Sequence, residues 1–145
     1  MEQRRRWMSA LATAAPGSLE AAWGRLDPRP DYTFLRRPEV GLVMVRGRAG
    51  GSGMRFNLGE MPVTRCSVRL DDGTVGHAYV GGRDARHAEL AALFDALLQD
   101  ETRRPELTAR LVEPLEAFRE AARAAAAARS APTRVEFFTM VRGED

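Results

Sequence analysis

Apolar residues recur at helical spacing near the start of the chain, at Trp7, Met8, Leu11, Ala12 and Ala15, so an amphipathic helix is predicted over 3–15. Pro16-Gly17 breaks it, and Ser18 is placed to N-cap a second short helix with Leu19, Ala22, Trp23 and Leu26 on its face. Asp27-Pro28-Arg29-Pro30-Asp31 stops that helix. The pattern then turns extended. Tyr32 to Arg37 is a predicted strand closed by Pro38, and Val40 to Arg48 is a second, more apolar one. Gly50-Gly51-Ser52-Gly53 reads as a turn, Arg55 to Leu58 as extended chain, and Gly59 to Pro62 as a loop. Val63 to Leu70 alternates cleanly, with Thr64, Cys66, Val68 and Leu70 on one face and Val63, Arg65, Ser67 and Arg69 on the other. Asp71-Asp72-Gly73 is a hairpin turn, and Thr74 to Val80 returns. Connections this short exclude parallel crossovers and predict an antiparallel meander of about four strands.

Helical spacing resumes from Asp84 to Gln99, where Leu90, Leu93, Phe94, Leu97 and Leu98 form a stripe. Arg104-Pro105 opens a further helix with Leu107, Leu111, Leu115 and Phe118 on its face. Pro114 should kink or split it, and the alanine tract from Ala121 to Ala128 continues it by propensity until Ala131-Pro132. The segment from Arg134 to Gly143 reads as a final strand or arm. With no internal repeat, the expectation is one α+β domain over 1–145: N-terminal helices, a meander, two later helical stretches and a C-terminal strand or arm.

Composition adds limits. The chain has 145 residues, 44% hydrophobic and 29% charged, which is ordinary for a globular domain. No apolar run reaches the roughly 20 residues that span a bilayer, and the basic N-terminus is not followed by a secretory apolar segment. Cytoplasm, without a membrane partner, is therefore expected. The lone Cys66 rules out an intrachain disulfide and a cysteine-bound iron–sulfur cluster. All 22 basic residues are arginine, yet the formal charge is only +2 and no long basic stripe occurs, which argues against nucleic-acid binding. A GC-rich genome accounts for the arginine bias as a whole and leaves individual arginines open.

The stretch Gly81-Gly82-Arg83-Asp84-Ala85-Arg86-His87-Ala88-Glu89 combines the most chemistry. Glycines, an arginine and a capping aspartate fall at a helix start, where backbone N–H groups and the helix dipole favour anions. Gly82 and Arg83 are thus candidate phosphate-binding residues, with plain turn geometry as the competing reading. His87 and Glu89 are candidates for acid/base catalysis; packing at the helix start is the alternative for His87. The His-x-Glu spacing is shared with zinc deaminases, but their Pro-Cys-x-x-Cys is missing, and Cys66, His77 and His87 lack metal-ligand spacing. No metal site is assigned. Arg46, Arg48 and Arg55 flank the glycine-rich turn and could grip a polyphosphate; the Gly-Lys-Ser/Thr of a Walker loop is absent. Arg65, Ser67 and Arg69 read as a solvated or partner-facing sheet surface. Phe137, Phe138, Met140 and Arg142 suit either an inserted strand or a docking segment.

Several of these motifs carry a family resemblance. Arg6-Trp7-Met8, Gly41-Leu42-Val43, Gly50-Gly51-x-Gly53-x-Arg55-Phe56, Arg69-Leu70-x-Asp72-Gly73-Thr74, Gly82-Arg83-Asp84-x-x-His87-Ala88-Glu89, Asp95-Ala96-Leu97-Leu98-Gln99 and the ending Val135-Glu136-Phe137-Phe138-Thr139-Met140-Val141-Arg142-Gly143 resemble the PhnG family. The likeness runs from about Arg6 to Gly143, with 102–131 matching only as patterned helix. It implies a small subunit of the bacterial carbon–phosphorus lyase system, partnered by PhnI, PhnH and PhnJ and by the ATPase-like PhnL. It further implies support of a transfer in which the ribose 5-triphosphate of ATP moves to an organic phosphonate and adenine leaves. In this family the nucleosidase activity is attributed to PhnI, so the resemblance brings no catalytic residue to this chain. ATP is then a substrate of the complex, and the chain itself binds no cofactor. Three roles stay open: an accessory synthase subunit lending Arg83 or His87, a purely structural organiser, and a free-standing enzyme on a phosphorylated ligand.

Overall fold

A computed structural model describes residues 1–48, 55–130 and 139–141. Helices α1 (Glu2–Ala12) and α2 (Ser18–Arg25) precede three long antiparallel strands, β1 (Tyr32–Arg48), β2 (Arg55–Leu70) and β3 (Val75–Gly81). Helix α3 (Ala85–Leu98) follows, then α4 (Arg104–Leu107), a π-helical turn (Thr108–Val112) and α5 (Glu113–Ser130). A short strand β4 (Thr139–Val141) pairs with β1 at Met44–Arg46, giving the sheet order β3-β2-β1-β4. The rest of the terminal strand expected over 134–143 lies outside the described residues.

The meander of about four strands is corrected to three. Pro38 does not end β1. It falls in a register shift between Arg36 and Glu39, where an extra residue is left out of the ladder and a missing N–H costs no ladder bond. The expected loop over Gly59–Pro62 is instead part of β2, which absorbs Gly59 (φ +148°) at a bulge and pairs Pro62 with Leu42.

Alternation holds where the sheet meets the helices. Thr64, Cys66, Val68 and Leu70 of β2 are buried, as are Ala78 and Val80 of β3. Against them lies α3, whose Leu90, Leu93, Phe94, Leu97 and Leu98 are all buried. Trp7, Ala10 and Leu11 of α1, Leu19 and Trp23 of α2, and Leu111, Val112 and Leu115 complete the core. The helix punctuation is mixed. Asp84 caps α3 by accepting the His87 N–H at 3.0 Å, as its position predicts. Ser18 does not cap α2: Gly17 takes that place at φ +82°, and the Ser18 hydroxyl donates back to the Ala15 carbonyl at 2.6 Å. Pro114 is accommodated by the π-helical turn just before it, which relieves the clash with the carbonyl four residues back.

One polar group joins three elements. The Asp95 carboxylate of α3 is fully buried. It accepts two bonds from the Arg4 guanidinium (3.1 and 2.8 Å), one from the Trp7 indole (2.8 Å) and one from the backbone N–H of His77 on β3 (2.9 Å). One turn on, the Gln99 amide donates to the Val75 carbonyl at 2.8 Å. Helix α3 thereby satisfies backbone groups of β3, the edge strand of the sheet. Between these two contacts lies Gly76: a Cβ there would collide with the Ala92 carbonyl oxygen and come within 2.8 Å of the Ala96 nitrogen.

Two stability predictions result. Gly76→Ala forces helix and strand apart, and urea unfolding should show a loss of about 3 kcal/mol. Asp95→Ala strands a guanidinium, an indole N–H and a backbone N–H; the same measurement should register at least about 3 kcal/mol.

Candidate functional site

The strand-to-helix turn is built as the glycines suggest. Gly82 adopts φ +97°, its N–H donates to the Pro62 carbonyl at 2.8 Å, and its own carbonyl accepts the Thr64 hydroxyl at 2.7 Å. The turn is therefore pinned to β2, and the Gly82 N–H is spent inside the fold. Arg83 is exposed and makes no hydrogen bond or ion pair with the described residues. Beside it the Asp84 carboxylate already occupies the first turn of α3. A fixed negative charge at that point competes with any incoming anion for the helix terminus.

A cleft of about 190 Å³ opens between the α1–α2 turn and the start of α3, lined by Ala15, Pro16, Gly17, Leu19, Glu20, Asp84, Arg86, His87 and Leu90. Its polar groups are largely engaged. The Arg86 fork holds Glu20 through two bonds of 2.9 Å and also pairs with Glu89 at 3.3 Å. The Arg86 guanidinium keeps the Glu20 carboxyl below its ordinary range. His87 Nε2 lies 2.8 Å from the Leu11 carbonyl, a contact in which the ring nitrogen donates. Glu89 accepts the Tyr32 hydroxyl, whose acidity is suppressed first by burial and then by that bond. Glu20, Asp84 and Glu89 outnumber Arg86 here, so the cleft offers an anionic ligand little electrostatic attraction.

The other candidates lie elsewhere. Arg46 sits on β1 opposite Asn57, and its Nε is buried without a hydrogen-bond partner. Arg48 and Arg55 face each other as backbone positions at the far end of the β1–β2 ladder. Pro62 of β2 separates Leu42 from the Gly82 turn, and from Leu42 to Arg46 is a further four residues of strand, or roughly 13 Å at the usual rise. The structure thus keeps the turn and the arginines of the β1–β2 arm apart. Phe137, Phe138 and Arg142 lie outside the described residues, and Met140 is described only as a backbone position of β4 opposite Val45. On the outer face of the sheet, Arg65 bonds Glu39 at 2.9 Å, and the Ser67 hydroxyl lies 2.8 Å from His77 Nδ1. Among the described residues no group of three or more His, Cys, Asp or Glu could hold a metal ion, and no helix is long and apolar enough to cross a membrane.

Sequence reasoning missed three contacts of this region. Tyr32–Glu89 joins residues 57 apart, Arg86–Glu20 joins residues 66 apart, and Arg104 turns back to bond the Leu98 and Gln99 carbonyls at the end of α3. Only the last is local enough to leave a signal, a basic residue just past a helix C-terminus.

What this architecture defines is a small α+β protein without an assembled catalytic set among its described residues. A family model described as phosphonate metabolism protein PhnG matches residues 2–143, and the chain belongs to that family. It is 50% identical over 143 residues, covering 99% of this chain and 91% of the relative, to a protein of Rhizobium meliloti (strain 1021) named alpha-D-ribose 1-methylphosphonate 5-triphosphate synthase subunit PhnG.

Cys66 gives a direct check on the packing behind the site. Burial pushes its thiol up to about 11, and the nearby Glu89 charge adds to the effect. At pH 8 the native protein, with this side chain 1% exposed, should therefore resist alkylation by iodoacetamide and react only after unfolding in urea.

Proposed function

We propose that this chain is an accessory subunit of an alpha-D-ribose 1-methylphosphonate 5-triphosphate synthase in the carbon–phosphorus lyase pathway, inactive alone. The observation that carries this reading is the 50% identity to the Rhizobium meliloti subunit across 99% of this chain. In the reaction, a phosphonate oxygen forms a bond to C1 of the ribose of ATP and the N-glycosidic bond breaks. Adenine leaves with the bonding pair and takes up a proton, while the triphosphate stays on the ribose. PhnI, PhnH, PhnJ and PhnL are the proposed partners, with ATP and the organic phosphonate as substrates of the complex rather than cofactors of this chain. The proposed compartment is the cytoplasm.

Within that assembly, Arg83 is the residue of this chain best suited to meet the triphosphate or phosphonate. It is exposed, fixed at a pinned turn, and free of carboxylate partners among the described residues. A guanidinium fork on the anion would act by electrostatic stabilisation. Gly82 shapes the turn, and Arg46, Arg48 and Arg55 are candidates for a second contact along the arm. A purely structural role is the competing reading. It is favoured by the engagement of His87 Nε2 with Leu11 and of Glu89 with Tyr32 and Arg86, which leaves little of either candidate for proton transfer.

Adenine release and phosphorus NMR on ATP plus methylphosphonate, run with the reconstituted subunits, test this. Product should form only when this chain is present. Arg83→Ala should lower turnover about tenfold to a hundredfold, the range for losing a charge-assisted bond, with assembly intact. Equal product without this chain would reduce it to a stability factor, and unchanged turnover in Arg83→Ala would leave the structural role.

A further inference from the structure

Helix α3 covers one face of the sheet. On the other, Arg65 and Arg69 of β2 and His77 and Tyr79 of β3 are exposed. The register sets four side chains of that face around Ser67 as a cross. Along β2, Arg65 and Arg69 stand two residues to either side, roughly 7 Å away, and across the ladders Arg36 of β1 and His77 of β3 are its partners, roughly 5 Å away. Side-chain contacts agree. Arg36 and Arg65 both bond Glu39, and the Ser67 hydroxyl lies 2.8 Å from His77 Nδ1. Arg69 shares the face with Arg65 and Ser67 by strand alternation.

The charges of this cross do not balance. Three arginines meet one carboxylate, and Glu39 takes the bonds from Arg36 and Arg65 on a single oxygen, Oε1. Arg69 has no hydrogen bond or ion pair with a described residue. Asp72, in the hairpin beyond it, is turned to the Thr74 N–H at 2.9 Å. The Ser67–His77 pair adds a donor in either tautomer. If Nδ1 accepts the hydroxyl proton, Nε2 carries the remaining N–H; if Nδ1 donates, the hydroxyl proton is released outward. No described residue accepts from Nε2. Tyr79, opposite Arg65, contributes one more hydroxyl to the same face. Like charges on neighbouring strand positions repel, so a face of this composition is stabilised by an anion that brings several acceptors at once.

We propose that Arg36, Arg65, Arg69, Ser67 and His77 form a binding site for the phosphoryl or phosphonate oxyanion of a small molecule. The arginine forks take two of its oxygens, and the Ser67–His77 pair donates to a third. Glu39 holds Arg36 and Arg65 in place and competes with the ligand for them. A carboxylate offers two oxygens in one plane and a single charge, whereas a tetrahedral dianion offers three oxygens to donors that surround it. The site is separate from Arg83, which lies past the end of β3, six residues beyond His77. Geometry and charge of this face carry the proposal; the synthase reading does not.

The chain has only two histidines, and the second, His87, is bonded to the Leu11 carbonyl, so the two rings serve as probe and reference in NMR. Inorganic phosphate, methylphosphonate and tripolyphosphate, titrated separately into the full chain at low salt, should each move the His77 ring resonances to saturation and leave those of His87 in place. Tighter binding of tripolyphosphate marks a nucleotide's phosphate tail as the source of the oxyanion; tighter binding of methylphosphonate marks a phosphonate. Arg69→Gln and Ser67→Ala should each weaken binding roughly threefold to tenfold, and Glu39→Gln should strengthen it by a similar factor by removing the competing charge. All three should melt at the wild-type temperature without ligand. Arg29→Gln, at an exposed arginine of the loop before β1, should bind as wild type. No saturable shift at His77, or equal shifts at both rings, overturns the proposal. So does an equal loss in Arg29→Gln, which would reduce binding to general charge, or acetate binding as tightly as methylphosphonate, which would make the face a seat for a partner's carboxylate. Adenine release measured with and without this chain judges the synthase reading separately, so either can fail alone.

Discussion

The buried carboxylate of Asp95 sets the geometry on which the rest depends. It lies in the middle of an otherwise apolar helix and is surrounded by the Arg4 fork, the Trp7 indole and a backbone N–H of β3. A charge removed from water this completely is tolerable only when it is paired and each lone-pair direction is used. Those demands fix where α1 lies on α3 and how far along β3 the helix sits. A purely apolar contact at the same place would let the helix slide. Gly76 has the complementary role: it lets the two backbones approach closely enough for the Asp95 and Gln99 bonds to form. Placement of α3 in turn fixes its N-terminal turn, and hence the exit point of Arg83 beside β2.

The parts legible in the sequence were those set by neighbours along the chain. The alternation of Thr64, Cys66, Val68 and Leu70, the Asp84 cap and the Asp71-Asp72-Gly73 turn rest on local geometry, and the structure has each of them. The strand count did not come through, because Pro38 and Gly59 are strand breakers only when the ladder needs their backbone groups. At bulges it does not, and two pairs of predicted segments fuse into β1 and β2. Ser18 misled for a related reason: Gly17 reaches a positive φ that starts the helix without a side-chain cap. Asp95 was unreadable, since an aspartate within a leucine stripe carries no mark of partners 88 and 91 residues away.

The candidate site was legible as residues and not as an arrangement. The sequence brings Arg83, His87 and Glu89 within seven consecutive residues, which invites a shared role. In three dimensions they separate. His87 and Glu89 turn inward to Leu11, Tyr32 and Arg86, while Arg83 points to no described partner. The discriminating quantity is where carboxylates lie across the fold. Glu20 comes from α2 to neutralise Arg86, and no comparable residue among those described reaches Arg83. Helix-terminus arguments also lose force once a capping aspartate is present, because its charge occupies the field that an external anion would use.

A chain of this family need not close all of its own surface, and this one leaves two elements only partly covered. Beyond Arg119, α5 has residues 120–129 exposed, and alanine propensity supports its helicity there. Among the described residues, the far half of β1 likewise has Val40, Leu42 and Met44 exposed. Both elements are rooted in the core: α5 through Leu111, Val112 and Leu115 in the turn and helix at its base, β1 through its ladder with β2. Rigid roots reduce the entropy still to be lost when the projecting parts are covered, so each is prepared for association without being folded by it. That division also separates the two readings of Arg83. An arginine that meets only a partner's carboxylate is an assembly residue, and its loss acts on incorporation. One that meets a phosphoryl oxygen leaves incorporation alone and acts on turnover.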